Sequence, residues 1–401
     1  MKIRNVETGN STCHEGKEMQ LPIRVLHVLG GTSLGGAESR IMDLYRNMDR
    51  DRIQFDFMVH NETEDHYNQE IRALGGNIYR MPRFKLYNSI AYCRAWKAFF
   101  REHQEFQAVH GHMTSTASLY LPIASKYGVP MTIAHARSAG TDPGAKGIIT
   151  KILRSSLAKR ADYCFSCSPE ASVAVFGKRA VEQGRVRIIP NAIDVDKFQY
   201  DDTVRQRMRQ QYKLGDRFVI GHVGRFHYAK NHAYLLDVFH EVLKAEPDAV
   251  LLLVGEGPLM ASVKDKAKEL GIEKSVLYTG NQAAVQDYYQ MMDYLVFPSR
   301  FEGLPGTVVE AQASGLRCLI SDSITREVMA TPLVQMLSIE RPVAEWTQSI
   351  LQNKTYERNS GNSELLKQRG FDVREQAEKL SRFYLHNLQD PQNLQDLQEK
   401  R

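Results

Sequence analysis

The sequence predicts an α/β protein built as two parallel-sheet domains that face each other across a cleft. Short apolar runs alternate with amphipathic runs along nearly the whole chain, the pattern of parallel strands covered by helices on both faces. At 401 residues the chain exceeds one ordinary core. A highly polar stretch with a charged helical run, Gln199 to Asp216, interrupts the alternation near the middle and marks a domain boundary.

In order, residues 1–22 are polar and read as a flexible lead-in. The first domain, residues 23–199, opens with the strand Ile23 to Leu29, the loop GGTSLGGAE and a helix over Ala37 to Met48. Strands follow at Phe55 to Val59 and Ile78 to Met81, separated by a polar run, Asn61 to Leu74, that turns helical late. Ser89 to His103 is an amphipathic helix; Ala108 to His110 is a strand before the loop GHMTS; Ala117 to Tyr127 is a helix. Strands at Met131 to Ala134, Tyr163 to Cys167 and Arg187 to Ile189 alternate with helices at Gly147 to Leu157 and Ala171 to Phe176.

The second domain, residues 200–370, repeats the alternation. Its strands are Phe218 to Val223, Ala249 to Val254, Val276 to Tyr278, Tyr294 to Phe297 and Arg317 to Ser321, with a weaker one from Leu333. Its helices are Ala233 to Ala245, Leu259 to Leu270, Ala283 to Met292, Thr307 to Ala313 and Pro342 to Gln352. Residues 371–401 hold a last helix, Arg374 to Leu388, expected to pack back on the first domain, and a frayed polar tail.

Bulk properties bound the function. Hydrophobic content of 42% and charged content of 25% are those of a soluble globular protein. Five scattered cysteines argue for a reducing compartment, hence a cytoplasmic location. No run approaches the roughly 20 apolar residues of a membrane span, and the start lacks the apolar centre of a signal peptide. The net charge of +5 is uneven: Met81 to Arg160 holds twelve Lys/Arg against three acidic residues, so the remainder is net acidic. A basic region of that size suits an anionic partner: a phosphorylated acceptor, a membrane surface or nucleic acid. Within it, GIITKILRSSLAKR (Gly147 to Arg160) sets isoleucines and leucines against lysines and arginines. It reads first as a helix covering the sheet with a basic back, second as an interfacial membrane helix.

The most informative stretch is Pro298 to Gly315, PSRFEGLPGTVVEAQASG. A strand, a glycine-containing loop and a helix start form an anion-binding corner, because the first N–H groups of a helix have no internal partner. Glu302 and Glu310 stand eight positions apart around it. Carboxylates repel phosphate but accept strongly from hydroxyls. Phosphate at the helix mouth with hydroxyls on either side describes a sugar nucleotide; the competing reading is an ordinary βα turn with solvated glutamates.

Ligands of open α/β sheets bind beyond the carboxyl ends of the strands, so the loops there are the candidates. Gly35 and Gly36 precede a helix and let a ligand approach the backbone closely. No complete Gly-x-Gly-x-x-Gly occurs, which speaks against a dinucleotide cofactor. Arg225 and Lys230 share one loop and suit a diphosphate, a guanidinium binding oxygens in pairs and an ammonium acting as a point charge. His110 and His112 have no third ligand at a metal-binding spacing, so no metal is expected, and His112 is a candidate for a sugar hydroxyl or the reacting centre. Cys164-x-x-Cys167 lies in a strand and reads as packing, with its two side chains on opposite faces.

Taken together, these loops resemble glycosyltransferase family 4, and the likeness runs from about Ile23 to the last helix. It is closest to bacterial exopolysaccharide and capsule enzymes, in LHVLGGTSLGGAESRIMDLYRNMD, GHVGRFHYAKNHAYLL, EGLPGTVVEAQASG and ISDSIT. The resemblance implies the GT-B fold, two facing Rossmann-like domains, and retaining transfer of a sugar from a nucleotide-diphosphate sugar, UDP-linked above all, to a lipid-linked or growing saccharide. It implies catalytic roles for Glu302, His112, Arg225 and Lys230. Donor contacts fall to Gly35, Gly36, Gly303, Leu304, Gly306, Thr307 and the ribose-binding Glu310. Neither metal nor cofactor is implied, and no Asp-x-Asp pair occurs in a loop where a divalent metal would be expected. Nucleic acid is not among the implied partners; peripheral contact with the inner face of the membrane through the basic region is. The sequence departs from the family at Asn231 and Pro305, where glycines are usual. Alternatives on the same architecture are a sugar-nucleotide epimerase and a non-catalytic partner subunit, with an NAD oxidoreductase more remote.

Overall fold

The computed structural model describes residues 21–138, 140, 144–390 and 393. The lead-in before residue 21, nearly all of the tail from 391, and Asp142 of the basic stretch lie outside them. The first sheet has seven strands: β1 (Ile23–Val28), β2 (Ile53–Val59), β3 (Ile78–Arg80), β4 (Phe106–Gly111), β5 (Met131–Ala136), β6 (Tyr163–Ser166) and β7 (Val186–Ile188). The second has six: β8 (Val219–Val223), β9 (Val250–Val254), β10 (Val276–Gly280), β11 (Tyr294–Phe297), β12 (Arg317–Ser321) and β13 (Val334–Leu337). Their spatial orders are β3-β2-β1-β4-β5-β6-β7 and β10-β9-β8-β11-β12-β13. Every strand pairing within the two sheets is parallel.

Each order reverses once, between β1 and β4 in the first sheet and between β8 and β11 in the second. Crevices open at such reversals because neighbouring connections leave to opposite faces. The loops after those four strands carry Gly35 and Gly36, His112, Arg225 and Lys230, and Glu302. Parallel strands buried on both faces read as continuous apolar runs, and β2, β5, β9 and β11 are buried at every position.

Several elements differ from expectation. The helix expected over Gly147 to Leu157 spans Ala145–Arg154, and a separate turn runs Leu157–Arg160, the pair of serines at 155 and 156 dividing them. Ile148 and Ile152 on it are 62% and 65% exposed while Ile149 and Leu153 are half-buried, so this helix leaves part of its apolar stripe uncovered. The polar run after β2 is helical only over Asn68–Ala73. Two short helices, Lys178–Glu182 and Asn362–Gln368, were not foreseen. Cys167 lies past the end of β6, so the strand alternation expected of the pair does not extend to it; both thiols are buried in the apolar core.

The helix Val373–Gln389 packs on the first sheet, not the second. Val373, Ala377, Leu380, Phe383, Tyr384, Leu385 and Leu388 join Val25, Tyr45, Phe55 and Phe165 in one core. Another apolar cluster runs from the first sheet into the second through Cys167, Ile193, Phe198, Leu304 and Val308, holding the two domains together on one side of the cleft.

Candidate active site

The donor corner forms where β11 ends. The helix Gly306–Ala313 has Pro305 as its N-cap, with φ −70° and ψ 111° and no side-chain cap. Pro305 thus sits just before the first helical turn rather than inside it. Val308 N–H returns to the Pro305 carbonyl at 3.1 Å. That leaves the N–H groups of Gly306 and Thr307 as the first-turn donors without a partner among the described residues. Leu304 differs from expectation: it is buried, its N–H supports the Cys167 sulfur, and its carbonyl accepts from Asn191 at 2.9 Å. Gly303 abuts the first domain, where a Cβ would stand 2.9 Å from Cys167 Sγ and 3.1 Å from the Arg137 carbonyl oxygen.

Lys230 Nζ lies 2.7 Å from Glu302 Oε1 and 4.4 Å from the centre of the Phe297 ring. The loop after β8 and the loop after β11 thus meet at a cation and a carboxylate. Asn231 explains itself here: its φ of 55° and ψ of 43° lie in the left-handed region, which glycine fills freely and asparagine next most readily. Its Oδ1 also accepts from Arg300 Nη2 at 2.9 Å. Arg225 is exposed and has no ion-pair partner among the described residues.

Glu310 is 7% exposed and fully engaged. Its Oε1 lies 2.8 Å from Arg40 Nη2, and its Oε2 accepts from the Tyr289 hydroxyl at 2.7 Å. Arg40 belongs to the helix Gly36–Arg46 that follows the glycine loop, so this buried pair joins the two domains. Gly35 caps that helix and Gly36, its first residue, faces open space. Glu38, in the same first turn, has its carboxyl pushed up by burial and by Asp65, with Arg225 and Arg137 opposing.

Behind the glycine loop lie four histidines: His27 on β1, His110 on β4, His112 just beyond it, and His135 on β5. His27 Nδ1 stands 3.0 Å from His112 Nε2 with the rings 9° from parallel. His110 Nε2 stands 2.9 Å from His135 Nδ1 with the rings 18° apart. Tyr384 on the last helix reaches His110 Nδ1 at 2.6 Å, and Arg137 Nε donates to His112 Nδ1 at 3.4 Å. Burial, with the added repulsion of Arg137, holds all four imidazoles neutral, His27 down to about 3 and the others well below their usual value.

Nitrogens of His27, His110 and His112 lie within 4.8 Å of one another. The third histidine missing from the sequence pattern is thus supplied by a neighbouring strand. The His110 and His112 rings lie 19° from parallel, and each also pairs with another imidazole, His112 with His27 and His110 with His135. An Asp194-x-Asp196 pair follows β7; Lys367 holds Asp196 at 2.8 Å and Arg374 contacts both carboxylates.

The structure therefore gathers Gly35, Gly36, Arg225, Lys230, Glu302, Gly306 and Thr307 at the mouths of the two crevices, with His112 and Glu310 more enclosed. Arg40, Arg137, Asn191, Tyr289 and His27 were missed. Only His27 left a signal, a polar residue inside the apolar strand IRVLHVL.

Two parallel-sheet Rossmann-like domains, with cations, carboxylates and an uncapped helix start on the loops at their strand ends, are the architecture of a GT-B glycosyltransferase. The chain belongs to that family of enzymes: residues 34–197 match Glycosyltransferase Family 4, and residues 204–357 match Glycosyl transferases group 1. EpsF of Bacillus subtilis (strain 168), itself a glycosyltransferase by assignment only, is 33% identical over 368 residues, covering 90% of this chain and 96% of that one. The capsular polysaccharide biosynthesis glycosyltransferase CapH of Staphylococcus aureus is 24% identical over 309 residues, covering 76% and 82%. In fold, the chain is similar to Anabaena Alr3699/HepE crystallised with UDP-glucose, with a TM-score of 0.75, 16% identity, and coverage of 91% and 100%.

Proposed function

We propose that this enzyme transfers a sugar, with retention of anomeric configuration, from a UDP-sugar to a lipid-linked saccharide in exopolysaccharide or capsule assembly. The observation that carries the reading is the Lys230–Glu302 pair at 2.7 Å beside the uncapped helix mouth. A cation and free N–H groups face the diphosphate, and a carboxylate is left for sugar hydroxyls. As the bond from C1 to the diphosphate breaks, charge grows on the departing UDP. Arg225, Lys230 and the N–H groups of Gly306 and Thr307 stabilise it where it develops. The acceptor oxygen attacks C1 on the face the phosphate leaves, and its proton passes to the departing phosphate oxygen. Gly35, Gly36 and His112 complete the site from the first domain. No metal and no cofactor takes part in this scheme.

Two features support the choice of donor and acceptor. A structural neighbour was crystallised with UDP-glucose, and a sequence relative is named for capsular polysaccharide synthesis. The first domain also leaves large apolar side chains exposed among cations in two segments, Leu86, Tyr87 and Ile90 with Arg83 and Lys85, and Ile148 and Ile152 with Lys151. No helix among the described residues is long and apolar enough to cross a membrane. Such side chains suit peripheral docking on anionic lipid, where a lipid-linked acceptor resides.

The donor reading is tested by thermal shift and calorimetry with nucleotides and nucleotide sugars. UDP and UDP-sugars should raise the melting temperature, and Glu310→Gln should weaken UDP binding. Glutamine is preferred to alanine because it keeps the side chain's volume beside Arg40, which retains Asp43 at 3.2 Å. Binding of GDP in preference to UDP would remove the UDP assignment, and UDP affinity unchanged in Glu310→Gln would remove the ribose role from Glu310. For the docking face, wild type should float with phosphatidylglycerol vesicles but not phosphatidylcholine vesicles, and Ile148→Asp/Ile152→Asp should stay behind. Equal flotation of wild type and variant would exclude this face.

A further inference from the structure

A hydrogen-bond chain starts at the buried histidines of the first domain and ends on the donor loop of the second. His27 Nδ1 and His112 Nε2 are 3.0 Å apart. Arg137 Nε donates to His112 Nδ1 at 3.4 Å, and Arg137 Nη1 donates to Asn191 Oδ1 at 2.9 Å. Asn191 Nδ2 then donates to the Leu304 carbonyl at 2.9 Å. Asn191 is 8% exposed and lies in the segment that leaves β7 toward the second domain.

Every direction along this chain is fixed by chemistry. A guanidinium has five N–H donors and no acceptor. His112 Nδ1 must therefore present a lone pair to Arg137. In a neutral ring the proton then sits on Nε2, which donates to His27 Nδ1. The Asn191 amide is oriented in the same way, its oxygen toward Arg137 and its NH2 toward the Leu304 carbonyl. The same segment meets the donor loop sterically, since Gly303 rests on Cys167, the Arg137 carbonyl and Ser138 Cα. One cation thus touches the active-site imidazole at one end and, through one amide, the loop bearing Glu302 at the other.

We infer that Arg137 and Asn191 are positioning residues that hold His112 in a single tautomer and tie that tautomer to seating of the loop Glu302–Gly306. When the loop is seated, Asn191 holds Arg137 against His112, and the ring keeps its proton on Nε2. When the loop moves away, Asn191 loses the Leu304 carbonyl, Arg137 loses its support, and the ring is free to exchange tautomers. The catalytic part of this inference rests on the proposed nucleotide-sugar site; the tautomer part does not.

The test uses the full chain with 15N-labelled histidine, the His112 ring being assigned by loss of its signals in His112→Asn. Wild type should show one protonated and one lone-pair ring nitrogen at His112. Arg137→Gln and Asn191→Ala should each average the two signals. In turnover with the UDP-sugar that binds, each variant should lose about tenfold in kcat with UDP affinity within about twofold, the size usual for a supporting residue behind a functional histidine. The double variant should be no worse than the poorer single one, because both act through one chain. His112 nitrogens unchanged in both variants, or losses that multiply in the double variant, would overturn the inference. Should Arg137→Gln fail to fold, Asn191→Ala carries the same spectroscopic test. An enzyme that turns over no nucleotide sugar would sink the donor reading and leave the ring measurement standing by itself.

Discussion

Lowering the pH from 7 to 5 should strongly destabilise this enzyme. Burial lowers the pKa of seven histidines, His60 among them; six are shifted furthest, His27 to about 3, His232 to about 4, and His110, His112, His135 and His222 well below the usual value. Burial is the first cause in each, and neighbouring cations or imidazoles add to it. In the unfolded chain a histidine takes a proton near pH 6.5. Below that pH the unfolded state binds protons that the folded state refuses, so stability present above 6.5 is lost as the pH falls. Each such group weakens the fold by at most about 1.4 kcal/mol per pH unit, a slope reached only well below pH 6.5, so between pH 7 and 5 these six cost on the order of 10 kcal/mol. Net stabilities of native proteins are about 5–15 kcal/mol, so a loss of that order should bring the fold to the edge of unfolding. Melting temperature and near-ultraviolet circular dichroism between pH 8 and 5 check this. A melting temperature that stays level across that range would contradict the neutral-histidine assignment.

Arg225→Ala should reduce turnover by about 10²- to 10³-fold, the usual result of removing one donor aimed at developing charge. The change is informative because Arg225 is exposed and has no ion-pair partner among the described residues. Its removal strands no buried charge, and the melting temperature should stay within about a degree of wild type, as surface substitutions usually allow. Loss of rate with stability intact would then report on the transition state alone. Lys230→Ala makes an instructive contrast, since it also strips Glu302 of its partner at 2.7 Å. Near-normal turnover of folded Arg225→Ala would remove the diphosphate role from this residue.

Much of the architecture was legible because it is local. Apolar strands such as Ala249 to Val254 announce themselves over five or six residues, and the loops at their ends can be found by counting. The helix Asn362–Gln368 escaped because only Leu365 and Leu366 mark it as more than a polar run. The break between Arg154 and Leu157 escaped because a pair of serines is compatible with either a helix or a turn. What could not be read was pairing at long range. Arg40 meets Glu310, Tyr384 meets His110 and Asn191 meets Leu304 across separations that leave no periodic trace. The two loop departures were visible but not interpretable until the backbone was known. Asn231 occupies a left-handed position, and Pro305 ends the loop just ahead of the helix, where its missing N–H costs no helical bond.

The helix Val373–Gln389 has a consequence for how the molecule is made. One face of the first sheet, with Phe55, Tyr163 and Phe165, is covered by Phe383 and Tyr384 from the far end of the chain. A ribosome finishes β7 and must still add some two hundred residues before that cover exists, roughly 10–40 s at ordinary rates of synthesis. During that interval the nascent first domain presents a bare aromatic surface, while the second domain, whose cover is near at hand in the chain, is free to close first.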